Sequence, residues 1–251
     1  MDRKKVQKEF IIDAHHVDDR DKLRFDILLG LLTDANTSYA ELYGMPIEEL
    51  MKKGYTYVIQ KEELILERPI YKGEKIVIYP FIEGISNTSI VRGALIKNKD
   101  ENIIGSYTAI VKIINKKSRE KVNIPEFIYK SYGIRKVLEN EVPFERIPVI
   151  NDSTYIEDFP VLISDLDINN HVTHSRYVKW ALEKAPKEFL RARTLKKVSI
   201  VFLKEVFYGE TVTLTFKILE KEMGDIITIH QIKNSMGHSA AMIKCTWEVE
   251  N

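Results

Sequence analysis

The sequence predicts an α+β fold built from two consecutive copies of one unit, a long helix followed by an antiparallel meander of strands. Three observations predict it. Apolar residues recur at helical spacing once in each half, several β-rich runs follow each time, and aligning Gly73 with Gly209 keeps the order of elements in register.

In the first half Leu28, Leu31, Leu32, Ala35, Tyr39 and Leu42 mark the helix, which Gly44 and Pro46 end. Strands are predicted over Tyr55–Leu66, Glu74–Ile82, Thr88–Lys97 and Ile103–Ile114, with turn residues between them at Lys72-Gly73, Ser86-Asn87 and Lys97 to Asn102. In the second half a helix over Ser175–Leu190 precedes strands over Val198–Val206, Thr211–Glu220, Ile226–Lys233 and Ala240–Glu248. Between them Pro125, Pro143 and Pro148 punctuate a connector, with a short helix at Ile134–Leu138. The expected division is 1–128 for the first unit, 129–150 for the connector and 151–251 for the second.

Composition bounds the function classes. A chain of 251 residues, 44% hydrophobic and 30% charged, buries a sizeable core. Its 38 basic and 37 acidic residues leave a net charge of +1, so no global field selects nucleic acid or an anionic membrane. No segment approaches the ~20 apolar residues of a membrane span, and a cytoplasmic protein is expected. The single cysteine, Cys245, excludes an internal disulfide and sits in a strand-like run, where a small buried apolar role is expected.

The residues richest in chemistry precede the second helix. Asp167, Asn169 and His171 are two residues apart, so on an extended strand their side chains leave one face and meet one pocket. An acid, an amide and an imidazole are what a hydrolase needs to position water, hold a carbonyl and move a proton. The same residue types before a helix also serve as caps and turn formers, and the residues alone leave both readings open. His171 and His174 form His-x-x-His without further ligands, so neither a metal nor a cofactor is expected.

The string Asp165-Leu166-Asp167-Ile168-Asn169-Asn170-His171-Val172, followed by Tyr177-Val178-Lys179-Trp180-Ala181-Leu182-Glu183, resembles the signature of the acyl-acyl-carrier-protein (acyl-ACP) thioesterases. A second similarity covers Val201 to Glu210, where that family carries a strand with a catalytic Glu, here Glu205. Plant members have a cysteine just after it; this chain has Val206, so no cysteine nucleophile is available there. Tyr57 to Glu74 resembles the first half of the same family.

The resemblance implies a tandem hotdog fold, each half a long central helix wrapped by an antiparallel sheet. It implies hydrolysis of fatty acyl-ACP to free fatty acid, with Asp167, Asn169, His171 and Glu205 as catalytic residues and backbone amides from Val172 to Ser175 meeting the oxyanion. Glu205 is the expected general base, Asn169 and His171 orient water or carbonyl, and Asp167 either orients His171 or acts as nucleophile. Pro69 stands opposite Glu205 in the repeat, so one active and one structural half follow. Phe25, Leu28, Leu31 and Leu32 are the expected wall of the acyl channel. Lys184, Lys187, Arg191, Arg193, Lys196 and Lys197 form a basic patch that either docks an acidic carrier protein or is merely a solvated face. An acyl-CoA thioesterase and a non-catalytic acyl-thioester-binding protein remain as alternatives, and the assembly is expected to be a monomer or a homodimer.

Overall fold

The computed structural model describes residues 6–134, 144–150, 152, 155–220 and 226–249. The first half runs β1 (Lys8–Ile11), α1 (Phe25–Leu42), α2 (Ile47–Lys52), β2 (Tyr55–Leu66), β3 (Lys75–Ile85), β4 (Ile90–Asn98), β5 (Ile103–Asn115) and α3 (Glu126–Tyr132). The second runs β6 (Tyr155–Pro160), a single 3₁₀ turn (Ile163–Asp165), α4 (His174–Glu183), α5 (Lys187–Arg191), β7 (Arg193–Phe202), β8 (Thr211–Glu220), β9 (Ile226–Lys233) and β10 (Ser239–Val249).

All ten strands join one antiparallel sheet in the order β1-β3-β4-β5-β2-β7-β10-β9-β8-β6. Read from its centre outward, that order is the same list twice: β2, β5, β4, β3, β1 on one side and β7, β10, β9, β8, β6 on the other. Each half is a hotdog unit, and the two meet where β2 pairs with β7 from Lys61↔Val201 to Ile65↔Lys197. At this seam the Glu63 carboxylate takes the Ser199 hydroxyl at 2.8 Å and the Lys197 ammonium at 2.9 Å. Helix α1 packs on β3, α4 packs on β8 and β10, and the two helices touch each other. One apolar core runs through both halves and includes Leu28 and Leu64 as well as Val178, Trp180, Val198 and Ile200.

The structure departs from the sequence expectations in three places. The second helix is two helices, because Pro186 lacks an N–H and α5 restarts only after it. Strand β7 starts at Arg193 and ends at Phe202, since the N–H groups of Leu203 and Lys204 both turn to the Ala240 carbonyl and leave the ladder. Glu205 therefore sits in a loop rather than on a strand. Edge strands β1 and β6 and helices α2 and α3 carry too short or too charged a pattern to be read in one dimension. The helix expected at Ile134–Leu138 falls, beyond Ile134, outside the described residues.

Because the core crosses the seam, the halves should lose structure together. Leu64 is 1% exposed beside Val198, and Leu64→Ala should cost about 2–5 kcal/mol. In urea melts it should lower the midpoint of one shared transition; two transitions, with only the first-half one displaced, would contradict this coupling.

Candidate active site

Asp167, Asn169 and His171 lie on a tight turn, not on the extended strand the spacing suggests. The Asp167 N–H donates to the His171 carbonyl at 2.9 Å, the Asn170 N–H donates back to the Asp167 carbonyl at 3.0 Å, and Asn170 takes a φ of 62° to close the turn. Asn is among the few side chains that accept this left-handed conformation readily. The Asp167 carboxylate then folds over its own turn: Oδ1 accepts the Asn169 N–H at 2.7 Å, and Oδ2 accepts Asn169 Nδ2 at 3.4 Å. The turn thus brings the three side chains together by curling around Asp167.

A bridge between His171 and Phe207 lays the loop after β7 beside this turn. His171 comes to rest between two carboxylates, Nδ1 at 3.5 Å from Asp167 Oδ2 and Nε2 at 3.7 Å from Glu205 Oε1. These are contacts rather than tight hydrogen bonds, a spacing common in catalytic groups before substrate closes them. Arg119, from the turn after β5 in the other half, pairs with Glu205.

The four residues line a cleft of about 830 Å³ at the seam between the halves. Helix α4 starts in its wall. Of the amides expected to meet an oxyanion, two are committed: the Val172 N–H donates to Val206 and the Thr173 N–H to Asp165, each at 2.9 Å. His174 and Ser175, the first residues of α4, are left with amides that have no intrahelical acceptor. Tyr177 lines the same wall, and burial, followed by the nearby carboxylates Glu205, Glu210 and Asp167, pushes its phenol well above the ordinary range, so it stays neutral.

The first half contains the same turn with different side chains. The Asp18 N–H donates to the Lys22 carbonyl at 2.8 Å, the Asp21 N–H to the Asp18 carbonyl at 3.2 Å, and Asp21 has a φ of 58°. The Asp18 carboxylate accepts the Arg20 N–H at 2.9 Å, as Asp167 does for Asn169. Lys22 bridges Tyr71 as His171 bridges Phe207, and Glu74 and Glu210 take the N–H of Tyr71 and Phe207 at 2.7 and 2.9 Å. Asp18, Arg20, Lys22 and Pro69 therefore stand where Asp167, Asn169, His171 and Glu205 stand. A pocket of about 200 Å³ marks the place, walled by Lys179, Leu182 and Glu183 of α4 where Gly30, Thr33 and Asp34 of α1 wall the large cleft.

Two family models match the chain, one for each half. The family model for the acyl-ACP thioesterase N-terminal domain matches residues 3–132, and that for the C-terminal domain matches residues 150–249. The chain belongs to the acyl-ACP thioesterase family.

Curated relatives include the chloroplastic dodecanoyl-ACP hydrolase of Umbellularia californica, 23% identical over 62% of this chain and 43% of that protein. The chloroplastic palmitoyl-ACP thioesterase of Gossypium hirsutum is 24% identical over 62% of this chain and 40% of its own length. This chain thus spans about two fifths of these relatives. Among solved structures, the acyl-ACP thioesterase of Bacteroides thetaiotaomicron is 22% identical with a TM-score of 0.82 over 96% of this chain and 97% of that one. The 12:0-ACP thioesterase of Umbellularia californica is 17% identical with a TM-score of 0.86 over 97% and 94%. At these identities the likeness shows the fold, the tandem hotdog.

Within this acyl-ACP thioesterase fold two expectations change. Phe25, Leu28, Leu31 and Leu32 do not wall the large cleft; Phe25, Leu28 and Leu32 are buried in the core, because α1 turns its apolar stripe to the sheet, and Gly30, Thr33, Asp34, Asn36 and Thr37 face the cleft. In the basic patch, Lys184 pairs with Glu157, Arg191 with Asp19, Lys196 with Glu248 and Lys197 with Glu63, while Arg193 stacks 4.3 Å over Phe189. Lys187 forms no salt bridge among the described residues, though its charge acts on Asp19 beside Arg191, so most of the patch is already engaged by neighbouring acids. Arg119 was not legible at all, since its partner lies 86 residues away and only the folded seam joins them.

The turn makes a direct claim on Asn170. Asn170→Gly should keep wild-type stability within a few tenths of a kcal/mol, whereas Asn170→Val, forced to positive φ, should lose about 1–3 kcal/mol. Thermal melts of the two variants check this; equal melting temperatures would contradict it.

Proposed function

We propose that the chain is a thioesterase that hydrolyses fatty acyl-ACP to free fatty acid and carrier, ending chain elongation. The observation that carries the reading is the convergence of Asp167, Asn169, His171 and Glu205 on one cleft beside the first amides of α4. Glu205 takes the proton of a water as the water oxygen attacks the thioester carbonyl. The oxyanion that forms is met by the His174 and Ser175 amides at the positive end of the helix. Collapse expels the carrier's thiolate, which leaves without the protonation an amide would need.

In this scheme Asp167 orients rather than attacks. One of its oxygens is held by the Asn169 backbone and the other by the Asn169 amide, facing His171. A carboxylate so engaged is a poor nucleophile and a good holder of an imidazole. Asn169 and His171 then place the water or the carbonyl. The second half is the catalytic one and the first supplies the opposite wall, because Pro69 and Lys22 cannot act as Glu205 and His171 do.

The cleft mouth suits an anionic carrier better than the expected patch. Lys121 and Lys204 line the cleft, and Lys116 and Lys117 lie in the turn of Arg119, whose own charge is met by Glu205. No helix among the described residues is long and apolar enough to cross a membrane, and we place the reaction in the cytoplasm.

Wild type should hydrolyse acyl-ACP faster than acyl-CoA of equal chain length, and Glu205→Ala and His171→Ala should each lose roughly 100-fold or more in turnover. Faster acyl-CoA hydrolysis would favour the acyl-CoA thioesterase. Binding of both thioesters without hydrolysis of either would make this an acyl-binding protein.

A further inference from the structure

His174 is the first residue of α4, directly after the candidate catalytic turn, and the scheme above uses only its amide. Its imidazole is held in a hydrogen-bonded chain that crosses the seam. Nδ1 lies 3.1 and 3.0 Å from the two oxygens of Glu62 on β2, and Nε2 lies 3.0 Å from Thr33 Oγ1 on α1. The Thr33 hydroxyl donates to the Leu29 carbonyl at 3.0 Å, and the Tyr107 hydroxyl of β5 donates to Glu62 at 3.1 Å. Glu62 is 1% exposed.

Nδ1–H donates to Glu62, while the direction of the bond between Nε2 and the Thr33 hydroxyl follows the tautomer. The imidazolium donates to both partners; the neutral Nδ1–H form keeps the hydrogen bond to Glu62 but gives up the ion pair with that buried carboxylate. A cation at the first residue of a helix opposes the macrodipole, and the buried Glu62 carboxylate is the charge that makes it tolerable there. Burial works against the imidazolium, but the charge and hydrogen bond of Glu62, with Asp167 behind them, outweigh it and hold the His174 pKa above the ordinary histidine value. Burial and the Glu62 charge push the Tyr107 phenol far up, so Tyr107 stays a donor.

We propose that Glu62 and His174 are positioning residues: their pairing clamps the amide-bearing end of α4 to the sheet and helix of the other half, and loss of the His174 proton loosens it. The proposal rests on the thioesterase reading for its effect on turnover, but not for its effect on stability. The other titratable or charged groups around the pair are Asp34 beside Thr33, Asp167 and His171 on the turn, Arg92 of β4 near Tyr107, and Arg176, whose charge is met by Asp165 at 3.5 Å. A histidine with a raised folded-state pKa contributes stability that is whole below its unfolded pKa and lost as pH rises through the folded one.

The test follows kcat, KM and melting temperature against pH for wild type, Glu62→Gln and His174→Gln. In wild type kcat and melting temperature should fall together on the alkaline side, with KM little changed. Glu62→Gln, nearly isosteric, should move that limb at least one pH unit lower, and His174→Gln should abolish it while lowering kcat at least tenfold throughout. If all three proteins share one alkaline limb, the pair does not position the helix and the proposal is wrong. If wild type hydrolyses no thioester, the catalytic reading fails, yet the melting curves still decide the clamp. Should His174→Gln not fold, the displacement in Glu62→Gln alone decides it.

Discussion

The pairing of β2 with β7 is the constraint on which everything else in this molecule rests. A lone helix-and-sheet unit would leave the β2 edge with unpaired N–H and C=O groups, and here the second unit satisfies them along Lys61–Ile65 and Lys197–Val201. The same pairing builds the cleft, whose walls come from α1, β2, β4 and β5 on one side and from the 167–175 segment and the loop after β7 on the other. Neither half owns a complete cleft. Backbone hydrogen bonding at the centre of the sheet is thus also what assembles the candidate chemistry.

Acidic and basic side chains alternate in and behind the cleft. Asp167, His171, Glu205 and Arg119 form one line, and Glu62 with His174 forms another behind it. Such an order lets several ionisable groups share a partly desolvated place, since every carboxylate faces an imidazole or a guanidinium. It also draws on both halves, with Arg119 and Glu62 from the first and the rest from the second.

Most of the fold was legible because its signals are local. The runs Tyr55–Leu66, Thr211–Glu220 and Ile226–Lys233 stand in the structure with the bounds that their β-rich composition predicts. The alignment of Gly73 with Gly209 located a real repeat, both glycines taking positive φ in matching turns. What escaped was whatever depends on the third dimension. Period-two spacing put Asp167, Asn169 and His171 on a strand, whereas backbone bonds within the segment curl it into a turn; the residues still converge, by a different route. The apolar stripe of α1 was read correctly as a stripe, but it meets the core and not the large cleft, because periodicity gives a face and not what the face meets. Cys245 behaved as its strand-like setting suggested, fully buried, with its thiol pushed up to about 12 by burial.

The two turns at Asp18–Lys22 and Asp167–His171 share bonds, bridges and a left-handed fourth residue while differing in nearly every side chain. Their common content is the backbone, held by one aspartate folded over its own loop. The turn is therefore a socket rather than a catalyst. In a symmetric pair of identical subunits both sockets would have to carry the same set of residues, but a fused chain has no such obligation. One copy is free to present an imidazole and an amide to the cleft, while its twin carries Arg20 and Lys22 and spends their charges on the Arg191 and Arg193 carbonyls and the Thr194 hydroxyl. Asymmetry within a single gene product is what the tandem arrangement makes available.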